Sequence, residues 1–215
     1  MSVLTDHLPL FFHGFLTTIQ LFLLSAVGSL VLGTILAMLR VSPVPVFRIA
    51  ATTYVTLLRN TPLTLVFFFF AFAYPLLKIL QLNPFVGAVV ALTLYTSAFI
   101  CEVVRSGINT VPVGQAEASR ALGLTFGQMI GSVVLPQALR SVVPPLVSTL
   151  IALLKNTTVA AGFSVTEAGS IRDSLSEQGA DMLVTLSWVA LFFIVLVIPL
   201  TLVQRSLEKR WSVAR

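Results

Sequence analysis

The stretch Glu117 to Pro136, EASRALGLTFGQMIGSVVLP, decides how this chain is read. It is a charged, Gly-punctuated segment between two long apolar runs. Its first part, from about Pro112 to Leu122, reads as a helix with Pro in the first turn, stopped at Gly123. Its second part opens on Thr125-Phe126-Gly127-Gln128, the capping-box pattern in which Thr and Gln satisfy each other's free amides. Phe126, Met129, Ile130 and Val133 follow at i, i+3, i+4 and i+7, so one face is apolar. Pro136 is expected to interrupt the run. Two short helices meeting at a bend, held at a membrane surface, make a knob on which another protein can push.

Composition sets the surroundings of that knob. The chain has 215 residues, of which 57% are hydrophobic and only 10% charged, with mean hydropathy +1.00. A soluble domain carries about 25% charged residues, so the deficit points to a membrane. The net charge of +5 is then a matter of placement along the chain, not a nucleic-acid signal. Cys101 is the single cysteine, which excludes an internal disulfide and a Cys-based metal site, and a small buried residue is the expectation for it. His7 and His13 have no acids or Cys grouped with them and read as interfacial residues.

The expected fold is an all-α integral membrane protein with five transmembrane helices in one domain. The spans fall at about 14–39, 52–77, 84–106, 138–164 and 182–204, with the loop 112–136 between the third and fourth. The first contains no charge and exceeds the ~20 apolar residues that cross a bilayer. It is too long for the apolar region of a cleaved signal. Pro144-Pro145 is expected to break the fourth span, which carries Lys155, and a polar segment, Glu167 to Asp181, follows it.

Sidedness follows from the basic residues. Arg40, Arg48, Arg105, Arg120, Arg140, Arg205, Lys209, Arg210 and Arg215 collect on one side, and Lys78 and Arg172 on the other. The crowded side is cytoplasmic, which places the N-terminus outside, the C-terminus inside and Glu117 in the cytoplasm. Asp6, Glu167, Asp173, Glu177 and Asp181 fall outside.

Arg59 and Lys155 are left inside the membrane, where a basic residue costs ~2.5–3.5 kcal/mol and commonly lines a polar path or pairs with an acid. Arg59 could equally snorkel to the inner surface. Glu102 and Arg105, at i and i+3, can pair on one helix as a structural or gating element.

The central stretch resembles the EAA loop of ABC-importer permeases: Glu-Ala-Ala, three residues, Gly, nine residues, Ile-x-Leu-Pro. Here it is Glu117-Ala118-Ser119, Gly123 and Val133-Val134-Leu135-Pro136, with Ser119 and Val133 as mild departures. Beyond the loop the chain is similar to the polar amino acid subfamily of these permeases. Arg59-Asn60-Thr61-Pro62-Leu63 matches its Arg-Gly-Thr-Pro-Leu motif. Glu102-Val103-Val104-Arg105-Ser106-Gly107-Ile108 matches its Glu-x-x-Arg-Gly-Gly-Ile stretch, and Lys155-Asn156-Thr157-Thr158 its Lys-Asp-Thr-Ser motif. Val111-Pro112, Gly114-Gln115 and Leu135-Pro136-Gln137-Ala138 fit as well; the matches cover about 59–160.

The resemblance implies a permease subunit in the inner membrane of a bacterium. It implies two ATP-binding partner subunits, a second permease subunit (favoured as a paralogue over a second copy) and an extracytoplasmic binding protein. Glu117, Ala118, Ser119, Gly123, Leu135 and Pro136 would couple to the ATPase; Arg59, Asn60, Thr61, Pro62, Lys155, Asn156 and Thr157 would belong to the substrate path. The chain has no Gly-x-x-x-x-Gly-Lys-[Ser/Thr] phosphate loop. ATP and Mg would therefore sit on the partner ATPase, this chain holds no cofactor or metal, and it is not expected to be an enzyme. Asn60 and Asn156 depart from the subfamily pattern. Losing the acid beside Lys155 favours an anionic substrate, and the paired variants resemble the glutamate-type members. Permeation of glutamine, arginine or histidine, or a stand-alone secondary transporter or channel, are the alternatives.

Overall fold

The computed structural model describes residues 2–211, which form helices and turns with no strand among them. A short helix, Ser2–Asp6, precedes α1, Leu8–Arg40. Next come α2, Pro45–Asn60, and α3, Leu63–Leu76, joined at a bend of 105°. Then follow α4, Pro84–Asn109, and α5, Val113–Ala121. The last long elements are α6, Phe126–Phe163, α7, Ile171–Ser176, and α8, Met182–Trp211. Four of these helices are long and apolar enough to cross a membrane, or five when the bent pair counts as one span. Arg215, counted above with the basic side, lies outside the described residues.

α1 is apolar all round, so its packing face is marked by small residues rather than by hydrophobicity. Gly14, Thr18, Ser25, Ser29 and Gly33 are buried along one stripe. In lipid, helices gain little from hiding apolar surface and associate where small residues let backbones approach. Here the partner is α4: a side chain at Gly28 would meet Thr93 at 2.9 Å, and one at Gly33 would meet the Ser97 carbonyl at 2.8 Å. The Ser25 hydroxyl donates to the Val89 carbonyl at 3.4 Å. Residue numbers rise together on both helices, so α1 and α4 run parallel. The chain returns between them through the bent pair.

That pair covers the span expected at about 52–77 and shows it bent in its middle. α2 stops at Asn60, Thr61 is extended (φ −98°, ψ 131°), and Pro62 caps α3. Proline removes an amide and pushes the residue before it out of the helical region, so the chain turns instead of kinking. Ala51 and Val55 of α2 pack on Leu36, Ala37, Ala98 and Cys101. Leu63 and Phe67 of α3 pack on Ala88, Ala91, Leu92 and Leu153, and Phe67 stacks on Phe163 at 5.0 Å.

Two expectations are corrected in α6. Pro136 does not end a short helix: a wide turn over Ile130–Val134 precedes it, and the helix runs on. Pro136 sits where a helix start tolerates a missing amide. Nor do Pro144 and Pro145 break the span, for the helix Leu135–Asn156 passes through both. The same helix packs closely on α4 one turn earlier. Gly107 lies so near Val142 that any side chain on it would overlap Val142.

The polar segment 167–181 also folds inward. Ala168, Ile171 and Leu175 join Phe11 and Val189 in a core at the end of the bundle remote from Glu102. Phe15 meets Phe192 and Phe193 of α8 at 5.3 Å each, closing that end.

Candidate functional site: an exposed coupling loop and a polar cavity between spans

The loop is built by its caps. At the end of α5 the Leu124 amide donates to the Ser119 carbonyl at 3.2 Å and the Gly123 amide to the Arg120 carbonyl at 2.9 Å. This is the paired bond of a Schellman ending, and Gly123 supplies the left-handed residue it needs (φ +86°). Two residues on, the Thr125 amide donates to Gln128 Oε1 at 2.9 Å and the Gln128 amide to Thr125 Oγ1 at 3.4 Å, completing the capping box. Gln137 Nε2 donates to Gln115 Oε1 at 3.4 Å and so ties α5 to α6.

What the loop presents is apolar. Val113, Leu122 and Phe126 are 74%, 81% and 68% exposed, while Met129 is buried. Glu117, Ala118, Leu135 and Pro136 are also exposed. Glu117 makes no ion pair among the described residues. Ser119 differs: it is buried, and its hydroxyl donates to the Ala116 carbonyl at 2.8 Å, so it braces the helix from behind.

Deeper in the bundle, Glu102 gathers three guanidinium groups. Arg40 Nη1 lies 2.5 Å from its Oε1, Arg59 Nη1 3.1 Å from the same oxygen, and Arg105 Nη1 3.8 Å from Oε2. The i,i+3 pairing with Arg105 is legible in sequence. The other two are not, because Arg40 and Arg59 come from α1 and α2. One carboxylate among three cations leaves a positive surplus. Arg59 also stands over the Phe99 ring, 5.8 Å from its centroid.

Phe99 is one wall of a cavity of about 340 Å³ between α4 and α6. Tyr95, Thr96, Ser148, Thr149 and Asn156 also line it. Its size is near the lower bound of small-molecule pockets, and hydroxyls and an amide are the polar groups it offers.

The other expected path residues scatter. Lys155, next to Asn156 in sequence, faces a separate groove of about 600 Å³ against α8, with Thr158, Thr201 and Arg205. Arg59 and Lys155 thus adjoin different cavities. The Thr157 side chain is buried and donates to the Leu154 carbonyl at 2.7 Å. Asn60 Nδ2 donates to the Thr56 carbonyl and Thr61 Oγ1 to the Leu57 carbonyl, each at 2.8 Å, so both finish α2. Pro62 makes the bend.

Sequence reading did not single out Tyr95, Thr96, Phe99, Ser148 or Thr149. Hydroxyls spaced through apolar spans were the available signal. Nor did sequence reading foresee that Glu167, in the polar segment after the fourth span, is fully buried.

A bundle of membrane-crossing helices, with a polar cavity between spans and a capped, outward-facing helix pair, defines a membrane permease subunit. The chain belongs to the family of binding-protein-dependent transport system inner membrane components, whose pattern matches residues 29–213. It is a multi-pass inner-membrane transport subunit and not an enzyme. The glutamate transport system permease protein GluC of Corynebacterium efficiens is 44% identical over 219 residues, covering 96% of each chain. The probable glutamine ABC transporter permease protein GlnM of Bacillus subtilis is 38% identical over 213 residues, covering 98% of this chain and 97% of the relative. Among solved structures, an amino acid ABC transporter with histidines superposes with TM-score 0.90 at 24% identity, covering 96% of each chain, which shows the fold.

Proposed function

We propose that this chain is the permease subunit of an ATP-driven importer of an acidic amino acid, with glutamate as its substrate. The likeness to GluC across nearly the whole chain carries this reading. The surplus cation of the Glu102 cluster supports it, since Arg59 borders the Phe99 wall of the Asn156 cavity. A carboxylate approaching that wall meets attraction, and a cationic amino acid meets repulsion. Asn156 adds polarity there without adding negative charge.

The partners follow from the same reading. Two ATP-binding subunits hold ATP and Mg, and each receives one loop around Glu117 and Gly123. Exposed Val113, Leu122 and Phe126 are the apolar contacts such a cleft would cover. A second permease subunit, a paralogue, completes the path, and an extracytoplasmic binding protein delivers the amino acid. The N-terminus lies outside and the C-terminus in the cytoplasm, as the basic residues prescribe. ATP binding moves the loops only if the ATPase states differ in affinity for the permease states.

The test is radiolabelled glutamate uptake in cells lacking this chain and in cells with it restored. Unlabelled glutamate, aspartate, glutamine and arginine compete, and ATP and the proton gradient are depleted separately. Restored, ATP-dependent uptake displaced by glutamate but not arginine is expected. Best competition by glutamine or arginine overturns the acidic-substrate reading. Dependence on the proton gradient alone overturns the permease assembly.

A further inference from the structure

Glu167 stands apart from everything used above. It lies in the turn between α6 and α7, at the end of the bundle remote from Glu102, and it is 0% exposed. Its Oε1 accepts the Gly169 amide at 2.7 Å, and its Oε2 lies 3.0 Å from Thr18 Oγ1 on α1. The same hydroxyl accepts the Ala168 amide at 3.0 Å and lies 3.1 Å from the Gly14 carbonyl. The fit is tight: any side chain at Gly169 would strike the carboxyl group, and one at Gly14 would touch Ile171 at 3.0 Å.

Among the described residues no cation pairs with this carboxyl group. On the elements around it, Arg172 is committed to Asp173 at 2.5 Å, Lys155 faces the groove against α8, and His13 is exposed. Burial pushes its pKa up to about 7, against the Thr18 hydroxyl and two backbone amides that pull it down. An unpaired carboxylate away from water is costly, and the economical escape is to hold the proton. A protonated Glu167 donates to Thr18 Oγ1, which frees the threonine proton for the Gly14 carbonyl.

We propose that Glu167 is a proton-binding site, and that its bound proton pins the 164–171 turn to Thr18 of the first span. Release of the proton leaves a buried negative charge held only by the Gly169 amide and the Thr18 hydroxyl, and the turn lifts from α1. Proton occupancy therefore sets the order of the surface opposite the coupling loop. This rests on the buried geometry and is independent of which amino acid is carried.

The assembled transporter, purified in lipid nanodiscs, supplies the test. Infrared spectra between pH 5 and 9 should show a protonated carboxyl band that titrates away near pH 7 and is missing in Glu167→Gln. Amide exchange at Ala168 and Gly169, corrected for base catalysis, should quicken about tenfold between pH 6 and 8 in the wild type, as a carboxyl held up to about 7 requires. A wild-type protein without a titrating carboxyl band, or with pH-independent opening of these two amides, overturns the proposal. Both wild-type measurements decide it even if Glu167→Gln does not fold. Persistence of the band in a folded Glu167→Gln protein overturns it as well.

Discussion

Arg40 Nη1 and Glu102 Oε1 meet at 2.5 Å across 62 positions of sequence. That contact joins the end of α1 to α4, and Arg59 brings α2 to the same oxygen at 3.1 Å. Three helices are thus held by one carboxylate.

Glu102→Gln should loosen all three. The substitution leaves three guanidinium groups facing one another with no acid between them. Breaking a buried pair costs about 3–5 kcal/mol, and partial exposure of this cluster reduces the expected loss to roughly 2 kcal/mol. Arg59→Gln should cost under about 1 kcal/mol, because the side chain is 45% exposed. Thermal unfolding in detergent reads both, and equal losses would contradict a hub centred on Glu102.

Helix contact through glycine makes a paired prediction. Gly33→Ala would bring a methyl group to 2.7 Å from Ile100 and 2.8 Å from the Ser97 carbonyl, with backbone that cannot step aside. A loss of about 1–3 kcal/mol is expected. Gly87→Ala on α4 meets nothing within 4 Å and should be neutral or stabilising by up to about 1 kcal/mol. A comparable loss at Gly87 would mean that the buried stripe of α1 does not govern its packing on α4.

Gly123→Ala tests the capped loop without touching the Phe99 cavity or the Lys155 groove. Its φ of +86° penalises any side chain by about 1 kcal/mol, although nothing stands within 4 Å of the added atom. Uptake should fall several-fold, with the amount of inserted protein unchanged, and Gly123→Asn should be the milder change. Normal uptake in the alanine variant would remove the loop from energy coupling.

Asn156→Asp places a carboxylate in the cavity that Phe99 also lines. Glutamate uptake should show a KM raised by roughly tenfold, the effect of about 1.4 kcal/mol of added repulsion. Glutamate uptake unmoved by the added charge would show that the binding protein, not this cavity, selects the substrate.

The pH dependence of stability has a definite sign. A carboxyl whose folded pKa is about 7, above its usual 4.5, stabilises the fold fully below the lower value and loses that contribution as pH rises through the higher one. Thermal stability should therefore fall by roughly 1 kcal/mol between pH 6 and 8, and the fall should shrink in Glu167→Gln. Identical pH slopes in the two proteins would assign the effect elsewhere.

The membrane class, the helical fold and the capped helix pair around Gly123 were legible in the chain itself. A charge-free run such as 14–39 can only be satisfied by a helix in lipid, because every backbone amide must be paired within the segment. The loop was legible because caps are local: Gly123, Leu124, Thr125 and Gln128 bond to residues three to five positions away. Proline was legible in position but not in consequence. Pro62 turns the chain by 105°, while Pro144 and Pro145 leave a helix continuous.

Only the tertiary structure decided which polar residues meet. Lys155 and Asn156 are adjacent in sequence, yet a step of one residue turns about 100° around a helix and puts them in different cavities. Arg40, Arg59 and Glu102 are far apart in sequence and share one site. Glu167 is a loop acid by position and a fully buried one in space. Sequence by itself determined that apolar helices build this fold and which caps shape the loop around Gly123, because those depend on short-range chemistry. The cavity beside Phe99, the Glu102 cluster and the Glu167 site needed the packing of helices, because each is assembled from side chains whose meeting no local pattern encodes.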